Sequence, residues 1–350
     1  MKSLYFEKYG TSEVLSFREI PQPELESGRV LVRVHAAAVN PLDWRLMRAD
    51  PFLVRMELGL FKPKSHGLGA DFSGVVERVA DDVLRFEPGD AVFGFTFPKG
   101  FCSFAEYVSV SAEASTSKPD SLSHQQASTL GIAALTAYQG IYDYRDIAPG
   151  DCVLVNGASG GVGTFAVQMA KARGAHVTAV CSARNHELVR SLGADAVIDY
   201  QTVDITRISE RYDLIFDAIG PHAPKKMKRL LRDRGKLVFA SAGNAWEFLR
   251  VIVAAKSDKS IELIFELEKS AARLQALLDL HAEGKLMPVF DREDPFDQVK
   301  TANDYVATHR ARGKVVVNIT QPDKDMLRYK KSEWAILVGL LVLSVVPCVG

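Results

Sequence analysis

The stretch CVLVNGASGGVGTFAVQMA, which begins at Cys152, constrains the fold more than any other part of the chain. It has the pattern of a short buried strand, a glycine-rich turn and a helix. Gly160 permits a tight turn and a close approach of the backbone to an anion, and Gly163 permits close packing of helix on strand. This context predicts a phosphate-binding loop, and the alternative is a glycine-rich turn without a ligand. The loop comprises Ala158, Ser159, Gly160, Gly161, Val162 and Gly163.

Strands and helices alternate on the carboxyl side of this loop. HVTAVC, AVIDY, YDLIFDAIG and GKLVFASAG have strand character, whereas NHELVRSLG and APKKMKRLLRDRG have helical character. Such alternation predicts βαβ units and a parallel sheet covered on both faces. The first part of the chain is instead β-rich with Pro and Gly in its turns, and KLMPVF and KVVVNI return to that type. We therefore expect a β-rich domain formed by residues 1–122 and 285–320, which encloses an inserted α/β domain at 123–284.

Composition narrows the possible functions. The chain has 350 residues, and Lys+Arg and Asp+Glu both number 43, so the net charge gives no overall attraction to nucleic acid or to an anionic membrane. The cysteines lie far apart without metal-site spacing and suit a reducing compartment. The N-terminal MKSLYFEKYG has no apolar run, so we expect no secretory signal and a cytoplasmic location.

The residues after the strand HVTAVC indicate which dinucleotide is bound. Proteins that bind NAD usually place an acidic residue here to hold the ribose 2′-hydroxyl, whereas this chain has Ser182 and Arg184. A hydroxyl and a guanidinium suit a 2′-phosphate, and the phenol of Tyr200 can reach the same group. The sequence therefore predicts NADPH as the cofactor. The alternative for Arg184 is that it begins the next helix in solvent.

These motifs together resemble the medium-chain dehydrogenase/reductase superfamily, in its quinone oxidoreductase-like branch. The resemblance extends to about Ile319 and rests on several motifs in the same order: VRVHAAAVNPLDWR, GADFSGVVERVADDVLRFEPGDAVFG, ALTAYQGI, GASGGVG, SLGADAVIDY and RARGKVVVNI. It implies an α/β fold in which a GroES-like β-rich catalytic domain carries an inserted Rossmann domain with a doubly wound parallel sheet. It also implies a nicotinamide site in the cleft between them.

The resemblance also suggests site residues. Asn40 and Asp43 occupy family positions that line the nicotinamide pocket, and Thr136 and Tyr138 resemble residues that pack on the nicotinamide. Alternatives remain for each: Asn40 can stabilise a turn before Pro41, Asp43 can be a helix N-cap, and Tyr138 can be a core residue.

A catalytic zinc is not expected. The zinc-dependent branch has a Cys where this chain has Asn40, and Gly-His-Glu where it has Gly69-Ala70-Asp71. The cysteines of the structural zinc lobe are also missing. His66 and Asp71 are a lone pair without Cys, more typical of a surface loop than of a metal site.

The leading hypothesis is an NADPH-dependent, zinc-free reductase that transfers a hydride to a quinone, an enone or a related carbonyl compound. A non-catalytic NADPH-binding sensor or scaffold at a membrane is the alternative, and a zinc alcohol dehydrogenase ranks third. The apolar stretch GNAWEFLRVIVAAKSDKSIELIF is expected to line the acceptor side of the cleft, to form a strand across a homodimer interface, or both.

The C-terminal residues 321–350 lie beyond the resemblance. Their uncharged segment 334–349 follows Arg328, Lys330 and Lys331, which is the arrangement of a short membrane anchor on a cytoplasmic protein. The run is shorter than the 20 or so residues that a spanning helix needs. Packing on a partner subunit, or an extension without a role, are the alternatives.

Overall fold

The structure is a computed structural model, which describes residues 1–96, 100, 102–220, 222–241, 244–264, 267 and 270–320. The predicted C-terminal anchor at 334–349 lies outside these residues. No helix in the described ranges is both long enough and apolar enough to cross a membrane.

The strands are numbered in chain order. They are β1 Lys2–Tyr5, β2 Ser16–Glu19, β3 Arg29–Val39, β4 Asp71–Val79, β5 Ala91–Phe95, β6 Tyr107–Ser111, β7 Ser115–Ser117, β8 Cys152–Asn156, β9 His176–Cys181, β10 Ala196–Asp199, β11 Tyr212–Asp217, β12 Leu231–Phe239, β13 Ile261–Leu263, β14 Phe290–Pro295 and β15 Lys314–Asn318.

The α-helices are numbered in the same way. They are α1 Pro41–Arg48, α2 Arg55–Leu58, α3 His124–Ser128, α4 Leu135–Tyr142, α5 Gly161–Ala172, α6 His186–Ser191, α7 Pro224–Lys228, α8 Ala245–Ser257, α9 Ala271–Ala282 and α10 Val299–Ala307. A π-helical turn, Leu130–Ala134, leads directly into α4.

One sheet confirms the expected doubly wound α/β architecture. Within the described residues, its strands are parallel and lie in the order β10-β9-β8-β11-β12-β13. The central strands β8 and β11 are almost entirely buried, as their continuous apolar runs predict. The order reverses next to β8, and open α/β sheets bind ligands at the carboxyl edge beside such a reversal.

A second sheet gathers strands from both ends of the sequence. Its order in the described part of the chain is β14-β15-β3-β4-β5-β7, and β6 pairs with β3. β15 pairs antiparallel with β3, with Val316 opposite Ala38. The chain thus returns to the N-terminal sheet after the inserted α/β unit, as the sequence predicted, while the numerical domain boundaries stay a prediction.

Some local expectations were wrong. The helix predicted over APKKMKRLLRDRG ends at Lys228 and strand β12 begins at Leu231, because pairing of this segment with β11 overrides its helical propensity. The strand predicted at KLMPVF begins only at Phe290. The stretch from Ala245 is a helix, α8, and a strand forms only at Ile261–Leu263, on the edge of the parallel sheet. The homodimer stays a prediction.

Candidate active site

The loop between β8 and α5 is packed too tightly for a side chain at Gly163. A Cβ atom there would lie 2.1 Å from the carbonyl oxygen of Gly157. On Gly160, by contrast, the nearest atom to a new Cβ would be 3.4 Å away. Gly160 precedes the 12-residue helix α5 and has no side chain to cap its first amides. The positive end of the α5 dipole is therefore available to an anion that approaches Gly160.

A cavity of about 990 Å³ opens beside this loop, at the carboxyl ends of β8 and β9. This volume is in the usual range of cofactor and small-molecule sites. Its lining includes the predicted residues Ser159, Gly160, Ser182, Arg184 and Tyr200. Ala158 is instead fully buried, and Gly163 lies in the packing beneath the loop.

Basic side chains outnumber acidic ones in the wall of this cavity. Arg184 donates a hydrogen bond to the backbone oxygen of Arg310 at 3.0 Å, and Lys226 also lines the cavity. Among the described lining residues the acidic one is Asp204, whose Oδ1 accepts hydrogen bonds from the amide and the hydroxyl of Thr206. The wall therefore suits an anionic group. Arg184 is exposed in the turn Ala183–Asn185 just before α6, so both interpretations of this residue stay predictions. Lys226 and Arg310 were missed in the sequence.

A buried carboxylate, which the sequence analysis also missed, binds two residues of the cavity wall, Asn156 and Ile219. Asp217, the last residue of β11, accepts hydrogen bonds at Oδ1 from Asn156 Nδ2 and from the amides of Ile219 and Gly220. Burial raises the pKa of Asp217. Because Ile219 lies against Gly157, these bonds hold the glycine loop in place.

The glycine loop also contacts Gly313, which directly precedes β15 of the second sheet. The amide of Gly313 donates to the backbone oxygen of Ser159 at 2.9 Å, and Gly160 forms a parallel bridge with Gly313. Asn185 Nδ2 donates to Ser159 Oγ at 2.8 Å. The residue after Gly313 is Lys314, which opens β15, so these contacts bring Lys314 against the start of α5.

Asn40 and Asp43 adjoin this junction at the start of α1. Asn40 precedes the helix, and Asp43 is its third residue, so an N-cap at Asp43 was the wrong position. Asp43 Oδ2 accepts the amide of Asn40 at 2.7 Å, as the acidic member of a capping box does, and Oδ1 accepts the amide of Gly69 at 3.0 Å. Asp43 is fully buried and positions the backbone of Asn40 and of Gly69.

Asn40, Asp71 and Lys314 form a buried polar cluster beside α5. Lys314 Nζ donates to Asn40 Oδ1 at 2.6 Å and lies 3.5 Å from Asp71 Oδ2. Asn40 Nδ2 donates to Asp71 Oδ2 at 2.9 Å and to the backbone oxygen of Ala38 at 3.2 Å. Both amide hydrogens of Asn40 are thus engaged within the protein. The contacts favour a positioning role for Asn40 over donation to a bound molecule.

The π-helical turn Leu130–Ala134 completes the surroundings of Asp71. Ile132 donates its amide to Asp71 Oδ1 at 2.6 Å, and a Cβ atom on Gly131 would lie only 2.3 Å from that oxygen. Thr136, one turn later, donates its hydroxyl to the backbone oxygen of Ile132 at 2.7 Å. Thr136 lies next to the cluster and not in the wall of the cavity. Tyr138 packs edge to face on Tyr142 in the core.

The electrostatics of the cluster follow from its burial. Burial raises the pKa of Asp71 and lowers that of Lys314, and their ion pair opposes both changes. Burial raises the pKa of Asp43 to about 7, although the amides of Asn40 and Gly69 favour its charged form. Two carboxyl groups and one ammonium would carry a net negative charge if all were ionised. The cluster is therefore suited to hold an extra proton near neutral pH.

The surface-loop interpretation of the pair His66 and Asp71 was wrong for Asp71, which is fully buried at the start of β4. His66 instead stacks on Tyr5, and its Nδ1 lies 2.9 Å from the backbone oxygen of Phe6. Among the described residues, no group of three or more His, Cys, Asp or Glu side chains converges as a metal site. The absence of zinc stays a prediction.

Within the buried polar cluster, sequence reasoning missed Lys314 and considered Asp71 only as a possible metal ligand. A signal was present for both, since each charged residue is the first residue of a largely apolar stretch, DFSGVV or KVVV. A charged residue at the start of a buried strand is costly unless it is paired. The sequence contains no information that these two residues pair with each other.

Comparisons with known proteins agree with this arrangement. The family described as alcohol dehydrogenase GroES-like domain matches residues 26–120, and the family described as zinc-binding dehydrogenase matches residues 192–317. The chain is 34% identical to NAD(P)H oxidoreductase RTN4IP1, mitochondrial, of Bos taurus over 358 residues, which cover 91% of this chain and 89% of that protein.

Two further relatives come from a plant and a bacterium. NADPH-dependent alkenal/one oxidoreductase, chloroplastic, of Arabidopsis thaliana is 33% identical, over 91% of this chain and 79% of that protein. The structure of the quinone oxidoreductase from Coxiella burnetii is 32% identical, covers 91% of this chain and 99% of its own, and superimposes with a TM-score of 0.82.

The glycine loop at a sheet reversal, joined to a GroES-like sheet that carries a buried polar cluster, defines an oxidoreductase that uses a nicotinamide cofactor. The chain belongs to the medium-chain dehydrogenase/reductase superfamily, in its quinone oxidoreductase-like branch.

Proposed function

We propose that this protein is an NADPH-dependent reductase that transfers a hydride to a quinone or an α,β-unsaturated carbonyl compound without zinc. The observation that carries the proposal is the basic wall of the cavity beside the glycine loop, at the position where a 2′-phosphate distinguishes NADPH from NADH. The relatives named for alkenal/one reduction and for quinone reduction support the choice of acceptor.

The residues present fit the cofactor. The open side of Gly160 and the free first amides of α5 suit a pyrophosphate, and Gly163 allows the close approach that this geometry requires. Ser182, Arg184 and Tyr200 would surround the 2′-phosphate, with Lys226 and Arg310 adding positive charge. When bound, the nicotinamide supplies the hydride.

The chain contributes position and charge to the reaction. Asp43 and Asp71 fix Asn40 at the junction of the two sheets, and they exclude water there because all three side chains are buried. Negative charge that develops on the acceptor's oxygen is stabilised by a nearby donor that needs no reorganisation. Lys314 is the cation that this cluster holds at the junction.

The same cluster argues against a resident zinc ion. Where the zinc-dependent branch has its Cys, the Asn40 side chain is bonded to Lys314 and Asp71. An ammonium group at this position would repel a divalent cation, and Ala70 supplies no ligand atom. The side chains at this position therefore suit an organic hydride acceptor and not a metal ion.

An acceptor screen tests the function. Purified protein should oxidise NADPH in the presence of quinones, enones or conjugated aldehydes, and prolonged chelation should leave the rate unchanged. Tight NADPH binding with no turnover on any acceptor would instead support the non-catalytic sensor. A rate abolished by chelation and restored by zinc would contradict the zinc-free mechanism.

Replacement of Arg184 by alanine tests the cofactor choice. We expect NADPH to bind more weakly by roughly 1–3 kcal/mol, or about 5- to 150-fold, because a charge-assisted contact to the 2′-phosphate is lost. NADH affinity should hardly change. Fluorescence titration of both cofactors measures the difference. Arg190→Ala is the matched control, since Arg190 is exposed on α6 outside the cavity wall. Equal losses for NADPH and NADH would contradict this role of Arg184.

A further inference from the structure

We propose that Lys314 is the proton donor of this reductase, with Asn40 and Asp71 as the positioning residues that hold its ammonium group. The inference rests on the proposed function and adds the second half of the reaction, since a hydride alone leaves the acceptor's oxygen as an anion. The sequence motifs identified no general acid, and this inference assigns that role to a lysine on β15.

The position of Lys314 links the two parts of the site. Its stem packs against the first turn of α5, where a Cβ atom on Gly161 would lie 2.9 Å from Lys314 Cδ. Its head reaches Asn40 on the other side. The side chain therefore spans the distance from the cofactor loop to the polar cluster, and only 3% of it is exposed. Lys314 thus lies between the loop proposed to bind the cofactor and the cluster proposed to act in the reaction.

The contacts of the cluster leave Lys314 as the member that can release a proton. Both amide hydrogens of Asn40 are engaged. Asp43 accepts two backbone amides and is fully buried. Lys314 Nζ makes one short contact, to Asn40 Oδ1, while its distances to Val39 O and Asp71 Oδ2 are 3.3 and 3.5 Å. Its two longer contacts are weak, so a hydrogen can be redirected to an acceptor.

The groups that face Lys314 adjust its acidity in opposite directions. Burial and the positive end of α5 favour the neutral amine, and burial lowers the pKa of Lys314. Asp71 on β4 and Asp43 on α1 oppose this by favouring the ammonium form. The balance leaves the pKa of Lys314 below that of a lysine in water, which makes its ammonium form the stronger acid.

The proposed step balances atoms and charge. A bound reduced nicotinamide would supply a hydride to the conjugated carbon of the acceptor, and the displaced π pair would then reside on the acceptor's oxygen. That oxygen takes a proton from Lys314 Nζ, while the N–H bonding pair stays on nitrogen as a neutral amine. After the product leaves, the amine takes a proton from water. Asp71 keeps its place throughout and stabilises the restored ammonium.

Replacement of Lys314 by arginine separates proton donation from charge. A guanidinium keeps the positive charge beside Asp71 but does not release a proton at any working pH. We expect the hydride-transfer rate on an enone to fall by about 100-fold or more in Lys314→Arg, the usual contribution of a general acid. NADPH affinity, measured by fluorescence titration, should stay within a few-fold of the wild type. Lys285→Arg, at an exposed position, should change neither value.

A series of quinones gives a readout that misfolding or misplacement would not reproduce. The rate loss in Lys314→Arg should shrink as electron-withdrawing substituents make the reduced oxygen less basic, because a stable anion needs no proton. A uniform loss across the series, or a rate equal to wild type on enones, would overturn the proposal. No turnover by the wild type on any acceptor would contradict the proposed function itself, which is a different outcome.

Asp71→Asn supplies an independent test if the arginine variant does not fold. Loss of the carboxylate removes the interaction that favours the ammonium form, so the alkaline limb of the pH–rate profile should move to lower pH. An unshifted limb in a folded variant that binds NADPH would show that Lys314 is not the group that titrates.

Discussion

Gly163→Val is expected to abolish binding of both NADPH and NADH and to lower the free energy of unfolding by roughly 3 kcal/mol or more. The reason is steric, because even a Cβ atom would lie 2.1 Å from Gly157 O and 2.7 Å from the Cα atom of Ala158. Backbone atoms cannot move aside as a flexible side chain can, so α5 must shift away from β8. Chemical denaturation and cofactor titration measure the two effects.

Gly160→Ala is the matched control for this prediction. Its new Cβ atom would be no closer than 3.4 Å to the rest of the protein, so the free energy of unfolding should change little. Cofactor affinity should still fall, because the methyl group stands where the backbone approaches the pyrophosphate. If Gly163→Val retained stability and bound both cofactors, the proposed loop geometry would be wrong.

Lys314→Met is expected to lower the free energy of unfolding by about 3–5 kcal/mol at mildly alkaline pH, because it leaves the Asp71 carboxylate buried without its cation. The double variant with Asp71→Leu should recover a large part of this loss, since both charges are then removed together. Denaturation curves for the wild type, the two single variants and the double variant give the coupling energy. A double variant whose loss equals the sum of the single losses would show that the pair is not coupled.

The loss in Lys314→Met should also depend on pH. Burial raises the folded-state pKa of Asp71 above its unfolded value, and removal of the ammonium group raises it further. A carboxyl group with a raised pKa contributes stability at low pH, and this contribution is lost as the pH rises through the folded-state pKa. The variant should therefore be less impaired at about pH 5 than at about pH 8. A pH-independent loss would contradict the assignment of Asp71 as the uncompensated charge.

Much of the architecture could be predicted from short stretches of sequence. The apolar runs of β8, β9 and β11 alternate with helices, and this alternation indicates a parallel sheet wherever it occurs. The glycine spacing in GASGGVG specifies a loop geometry because the contacts that require it, such as Gly163 on Gly157, lie within a few residues. The prediction of NADPH as the cofactor rests on the same kind of local signal, because Ser182 and Arg184 follow β9 directly.

Predictions failed where pairing of distant segments overrode local preference. The segment after Lys228 has helical propensity. It nevertheless forms β12, because it pairs in parallel with β11 through backbone hydrogen bonds. Asn40 and Asp43 could be placed near the cofactor only through family resemblance. Their contacts with Lys314, Asp71 and Gly69 could not be anticipated. These contacts engage both amide hydrogens of Asn40 within the protein.

The sequence by itself therefore determined the class of fold, and it also supplied the predictions for the phosphate loop and the ribose contacts, since each depends on periodicity or on neighbours along the chain. Only the tertiary structure decided which residues form the buried polar cluster. Asn40 and Asp71 are 31 positions apart, and Asn40 and Lys314 are 274 apart. They meet because β15 pairs with β3 and β3 pairs with β4, and because Gly313 bridges to Gly160. Pairing between strands so far apart in the chain produces no periodic pattern that a short stretch of sequence could show.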